Sequence, residues 1–184
     1  ATDTPEPEIT SAPEPTESPA PELTATPPVT PAPGAEYPLV VDIGSTVSVD
    51  LDGDGSAEEV YYYVEADYTY NHPEQTLSVN GVDYIAAVND QGLYGCAPAT
   101  DCYCITDLDT SDGLLLIAVM DYSPSNDLTT SFFRYDGNSL KYVGQAPDFA
   151  ASSYSNVWLI TFNGDGTLTS TIRLSVLQTW FAFA

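Results

Sequence analysis

From Tyr37 onward, apolar and polar residues alternate with a period of two between turn formers, as in Thr46-Val47-Ser48-Val49, Gln75-Thr76-Leu77-Ser78-Val79 and Leu168-Thr169-Ser170-Thr171-Ile172. Period two is the repeat of a strand with one face toward a core. Between these lie runs rich in aromatic and β-branched residues: Val60 to Val64, Leu114 to Val119, Ser131 to Tyr135 and Val157 to Phe162. Asn80-Gly81, Asp136-Gly137-Asn138 and Asn163-Gly164-Asp165-Gly166 separate them, and these pairs suit tight hairpins because Gly and Asn accept positive φ. Helix signals are absent. The pattern predicts an all-β, mostly antiparallel domain over residues 37–184.

The first 36 residues follow a different pattern. They hold ten of the 15 prolines and seven acids, with no base and no aromatic residue. Such a segment buries too little apolar surface to offset its ordering entropy. Residues 1–36 are therefore expected to be a disordered Pro/Thr/Glu-rich linker, stiffened by proline and extended by like charge. Its expected role is reach, holding the domain away from a cell surface.

A weak internal repeat runs through the domain. Strand-to-acidic-turn junctions occur at DLDGDG from Asp50, DLDTSDG from Asp107 and TFNGDG from Thr161, spaced 57 and 54 residues apart. Each is followed by an apolar strand and a hairpin, the layout of a four-stranded antiparallel unit. The expected architecture is a set of blade-like four-stranded sheets, a partial propeller-like stack with open edges through which copies can associate; the alternative is a single β-sandwich. The chain starts at Ala1 without an initiator Met and ends on the strand-like run Leu177 to Ala184. It reads as a processed or truncated piece of a longer chain.

Charge narrows the partners. The chain has 27 acids against 3 bases, a formal net charge of −24. A surface this acidic repels phosphate backbones and anionic lipid heads, which argues against nucleic-acid and membrane-surface partners. No apolar run approaches the roughly 20 residues needed to cross a bilayer, so membrane insertion by this chain is not expected.

One constellation carries chemistry. In Asp50-Leu51-Asp52-Gly53-Asp54-Gly55-Ser56-Ala57-Glu58-Glu59, acids stand at loop positions 1, 3, 5 and 9 (Asp50, Asp52, Asp54, Glu58), Gly55 permits a sharp turn at position 6, and Ser56 offers its carbonyl at position 7. Oxygen-only donors in a flexible loop suit calcium. An EF-hand would place a bidentate Glu at position 12, where Tyr61 stands, and β-type sequence flanks the loop. Without a cation, several carboxylates this close repel one another by about 1 kcal/mol per pair even in bulk water.

At these residues the chain resembles the FG-GAP/VCBS type of calcium-binding repeat, found in integrin-like propellers and in many secreted bacterial proteins. DLDGDGSAEEVYYYV fits its pattern D-x-[DN]-x-D-G-x-x-[DE] followed by an apolar strand. Residues 107–144 look like a repeat of secreted Gram-positive domains. The resemblance implies a secreted or cell-surface location, a Gram-positive source and calcium held by Asp50, Asp52, Asp54, Ser56 and Glu58. In the second loop, Asp107, Asp109 and Asp112 are present, but Leu114-Leu115-Leu116 takes the downstream acid position, so a weaker second site is expected there. The third loop, with Thr169 where an acid should close it, is expected to be structural.

In a secreted context, Cys96, Cys102 and Cys104 suggest one disulfide and one leftover thiol, with Cys96–Cys102 favoured by the turn at Ala97-Pro98. Zinc is disfavoured, since His72 lies far from them in sequence. With one His and no nucleophile motif, no catalytic set assembles. The function expected is a non-catalytic, calcium-binding extracellular domain for surface display, adhesion or ligand binding, its partner an extracellular protein or glycan. The alternative is a carbohydrate-binding module or accessory domain of a secreted glycan-active enzyme, with Tyr61, Tyr62, Tyr63, Tyr68 and Tyr70 as sources of ring stacking.

Overall fold

The computed structural model describes residues 36–64, 75–89, 103–122, 128–147, 160–170, 172–176 and 179–183. The predicted linker before Glu36, together with Tyr68, Tyr70, His72, Cys96 and Cys102, lies outside the described residues.

In chain order the elements are β1 (Leu39–Val41), β2 (Thr46–Val49), β3 (Glu58–Val64), β4 (Gln75–Val79), β5 (Val82–Asp83), the short helix α1 (Ile85–Asn89), β6 (Tyr103–Thr106), β7 (Leu116–Tyr122), β8 (Leu128–Tyr135), β9 (Leu140–Pro147), β10 (Thr161–Phe162), β11 (Leu168–Thr169), β12 (Ile172–Val176) and β13 (Thr179–Phe183). Every strand pairing is antiparallel. The all-β expectation holds, and the sheets do not close into a barrel.

The first sheet is the four-stranded meander β2-β3-β4-β5. Asn80 (φ 52°) and Gly81 (φ 74°) make the two-residue turn between β4 and β5, both in the left-handed region that a tight hairpin requires. The second sheet is the meander β6-β7-β8-β9 with β1 added on its β6 edge, five strands in all. Gly137 (φ 81°) turns the chain between β8 and β9. The third unit differs from a four-stranded sheet. It consists of two separate hairpins, β10-β11 and β12-β13. Only Ser170 and Thr171 separate β11 from β12 in sequence, and the Ser170 hydroxyl donates to the Pro147 carbonyl at the end of β9.

The layers follow from side-chain parity. In β3, Glu58, Val60, Tyr62 and Val64 point inward while Glu59, Tyr61 and Tyr63 point out. Tyr62 meets Tyr103 of the second sheet edge to face, with ring centroids 5.5 Å apart. The second sheet is buried on its other face too. Cys104, Leu116, Ala118, Met120 and Phe132 are all buried there, Phe132 meets Phe162 of the third unit at 6.1 Å, and Ile160 and Leu168 join the same cluster. That is why Leu115 to Met120 is a continuous apolar run: a strand covered on both sides has no wet face to alternate toward.

The helix α1 departs from the expectation of no helix. Val88 fills a fully buried position and its N–H donates to the Tyr84 carbonyl, as the chain crosses between β4 and β9. Five residues are too short to show a helical period. Among the described residues no helix is long and apolar enough to cross a membrane.

Candidate metal centre

The Asp50 loop connects β2 to β3 beyond the Val49–Glu58 pair. Its acids wind it. The Asp50 carboxylate accepts the N–H groups of Gly53 (2.8 Å) and Gly55 (3.0 Å), Asp52 accepts Asp54 N–H (3.2 Å), and Asp54 accepts Ser56 N–H (2.7 Å). Gly53 and Gly55 carry φ of 75° and 89°, so the coil needs glycine at both. Leu51 is its apolar anchor, fully buried, with its carbonyl accepting Leu115 N–H at 3.0 Å.

One oxygen from each of Asp50, Asp52 and Glu58 falls within 4.8 Å of the others. The two aspartates come from the coil. Glu58 arrives by strand parity, sharing the inward face of β3 with Val60 and Tyr62, and it is only 5% exposed. Its Oε2 accepts Leu51 N–H at 2.8 Å. Burial pushes the Glu58 carboxyl above its usual range; the Leu51 bond opposes this, and the charges of Asp52, Asp50 and Asp54 add to the rise. A buried carboxylate beside two others is an uncompensated charge that a hard cation would balance. The donor set, all carboxylate oxygen, could hold a hard metal ion.

Of the other residues expected at this site, Asp54 and Ser56 are exposed. Asp54 turns its Oδ1 to Ser56 N–H and stands outside the three-acid group.

The second loop is arranged differently. Asp109 accepts the N–H and hydroxyl of Ser111 at 3.0 and 2.6 Å, and Asp112 accepts Leu114 N–H at 2.9 Å while Arg134 lies 3.7 Å from its other oxygen. Asp107 Oδ1 is buried without a partner, and burial with the Asp112 charge raises its pKa. These three acids do not form a group like that of Asp50, Asp52 and Glu58 among the described residues. In the third loop Asp165 accepts Thr167 N–H and Oγ1 at 3.1 and 2.5 Å, a self-contained hairpin turn.

Tertiary structure brings these turns into one row. Leu115 N–H reaches Leu51 O, Thr110 N–H reaches Gly164 O (3.2 Å), Gly166 N–H reaches Leu108 O (3.0 Å), and Asp109 bridges Asp165. A Cβ added to Gly53 would sit 2.9 Å from Gly113 O, and one added to Gly137 would sit 2.7 Å from Asp52 Oδ2. The β8–β9 turn is therefore a wall of the Asp50 site. Sequence reasoning read Asp136-Gly137-Asn138 as a hairpin turn alone, because nothing local links it to a loop 85 residues upstream.

Cys104 is a free, buried thiol on the doubly covered sheet. Cys96 and Cys102 lie outside the described residues. Tyr61 and Tyr63 stack on the outward face of the first sheet, centroids 6.5 Å apart and 10° from parallel, whereas Tyr62 is buried and donates to Gln75 Oε1 at 2.6 Å. Compared with known proteins, the chain matches no protein-family model, no curated protein and no solved structure.

Proposed function

We propose that this chain is a non-catalytic, calcium-binding extracellular β-domain, preceded by an acidic Pro/Thr/Glu-rich segment and serving surface display, adhesion or ligand binding. The observation that carries the reading is the convergence of Asp50 and Asp52 on the buried Glu58. Extracellular calcium modules bind with dissociation constants of about 10⁻⁴ to 10⁻³ M. A tenfold to hundredfold excess over that constant stabilises a folded-state-only site by roughly 1.4–2.7 kcal/mol. The melting temperature should rise in millimolar calcium and fall in chelator. Asp52→Ala should abolish most of that difference, and Asp165→Ala should preserve it. Identical melting curves of the parent in calcium and chelator overturn the reading.

A second reading, a carbohydrate-binding module, is supported by the parallel Tyr61 and Tyr63 rings. Tyr63 is 43% exposed on a face shared with Thr46, Ser48, Glu59, Thr76, Ser78 and Asp83. Neutral sugars stack on such rings, while the chain's charge disfavours acidic glycans. A glycan array probed with the parent and with Tyr63→Ala discriminates: signal on neutral glycans that Tyr63→Ala loses favours this reading, and no signal removes it.

A further inference from the structure

We propose that the outward face of the first sheet docks a basic segment of a partner protein, with an arginine or lysine side chain lying over the paired Tyr61 and Tyr63 rings and Glu59 and Asp83 beside it. The inference rests on the ligand-binding part of the reading above, names a partner class for it, and makes no use of the Asp50 loop.

Strand parity builds the face. Glu59, Tyr61 and Tyr63 all point outward from β3. The antiparallel register sets Ser78 of β4 opposite Tyr61 and Asp83 of β5 opposite Ser78, so Asp83 stands in the same cross-strand row as Tyr61. Burial raises the Tyr61 phenol first, and Tyr63 and then the Asp83 charge add to the rise, which places that charge within electrostatic reach of the ring. At the β2 edge the turn from Asp42 to Ser45 closes on the other ring: a Cβ added to Gly44 would meet Tyr63 at 3.9 Å. Asp42, Glu59 and Asp83 are all exposed. None of the chain's three bases belongs to this sheet. Arg134 and Lys141 lie in the second, paired with Asp112 and Asp136, and Arg173 lies in β12.

The chemistry of the face selects a cation. The face of an aromatic ring carries partial negative charge and attracts a cation within about 6 Å of its centroid. The carboxylates around the rings favour the same sign, and a net charge of −24 steers cationic partners in and repels anionic ones. An apolar partner would strip water from Glu59 and Asp83 without supplying a counter-charge. A second copy of this chain brings 27 acids and 3 bases, two of them already paired. A guanidinium suits the site best, since its plane stacks on a ring while its N–H fork reaches a carboxylate.

The test is an NMR titration of the isotopically labelled full chain with an acetylated, amidated peptide of alternating arginine and glycine, and with the same peptide carrying citrulline for arginine. Amide shifts should centre on β3, β4 and β5. Affinity for the arginine peptide should fall by at least about threefold in Tyr63→Ala and in the double variant Glu59→Gln/Asp83→Asn. It should stay within about twofold in Tyr63→Phe, which keeps the ring, and in the charge-matched double variant Glu36→Gln/Asp165→Asn, whose exposed acids lie outside this sheet. Equal losses in the two double variants, or shifts centred on the acidic turns, overturn the inference by showing attraction to net charge alone. Equal binding of the citrulline peptide overturns it by removing the cation. An unshifted face overturns it as well, and a neutral-glycan signal that Tyr63→Ala then loses assigns the face to a glycan. The melting response to calcium is measured without peptide, so failure of the calcium reading and failure of this inference are told apart.

Discussion

Glu58 illustrates how a residue gains its properties from its position. It is one of two adjacent glutamates, yet parity in β3 sends Glu58 inward and Glu59 to the surface. Burial of a carboxylate is unfavourable, and the two aspartates above make it more so. Glu58→Gln should therefore raise the melting temperature in chelator at neutral pH and erase the response to calcium; a variant less stable than the parent in chelator would show the charge is already compensated. Cys104 is the opposite case. Burial pushes its thiol up to about 12, so it should resist a thiol reagent at pH 8 in the folded protein and react on unfolding. Tyr62 and Tyr103 are likewise raised, each first by burial, then by the charge of Asp121 for Tyr62 and of Tyr61 and Asp42 for Tyr103. A raised folded-state value means that the folded protein keeps its proton where the unfolded chain gives it up. This contribution is whole below about pH 10 and is lost as pH rises above it. Absorbance at 295 nm, followed with melting temperature from pH 9 to 12, should show these two phenols ionising with unfolding and not before it.

At the scale of elements, local chemistry was enough for the hairpins. Asn80-Gly81 is the dipeptide a two-residue turn demands, and β4 and β2 span the alternating runs seen in the sequence. Gly81→Ala should cost about 1 kcal/mol in urea unfolding, because alanine does not accept φ +74° as readily and no contact is gained or lost there. The winding of the acidic loop was legible for the same reason: Asp-x-Asp-Gly-Asp-Gly places a carboxylate beside successive N–H groups. Two elements were not legible. The helix α1 depends on Val88 finding a buried place between β4 and β9, and the third unit, split into two hairpins, meets the end of β9 through Ser170. Both involve contacts far away in sequence.

Across the whole molecule, the layers explain which positions carry stability. The second sheet is covered on both faces, so Ile117, between the sheets, has no route for relaxation after truncation. Ile117→Ala should cost about 2–5 kcal/mol. Tyr63, on the outward face of the first sheet, should tolerate Ala at a cost of about 0.5 kcal/mol. Urea denaturation of the two variants checks the contrast, and similar losses would contradict the layer assignment. The same arrangement gathers the three acidic turns and the β8–β9 turn at one end, where Arg134 and Lys141 are engaged by Asp112 and Asp136.

Taken alone, the sequence determined the strand class, the hairpins and the oxygen-rich loop, because each is set by residues within a few positions of one another. Spacing counts positions and not directions. The directions were decided by tertiary structure. The Gly137 turn comes to lie beside Asp52, Asp112 is claimed by Arg134, and Cys104 is sealed between layers. Each of these depends on which sheet face or turn comes to lie opposite, and the packing of side chains distant along the chain settles that.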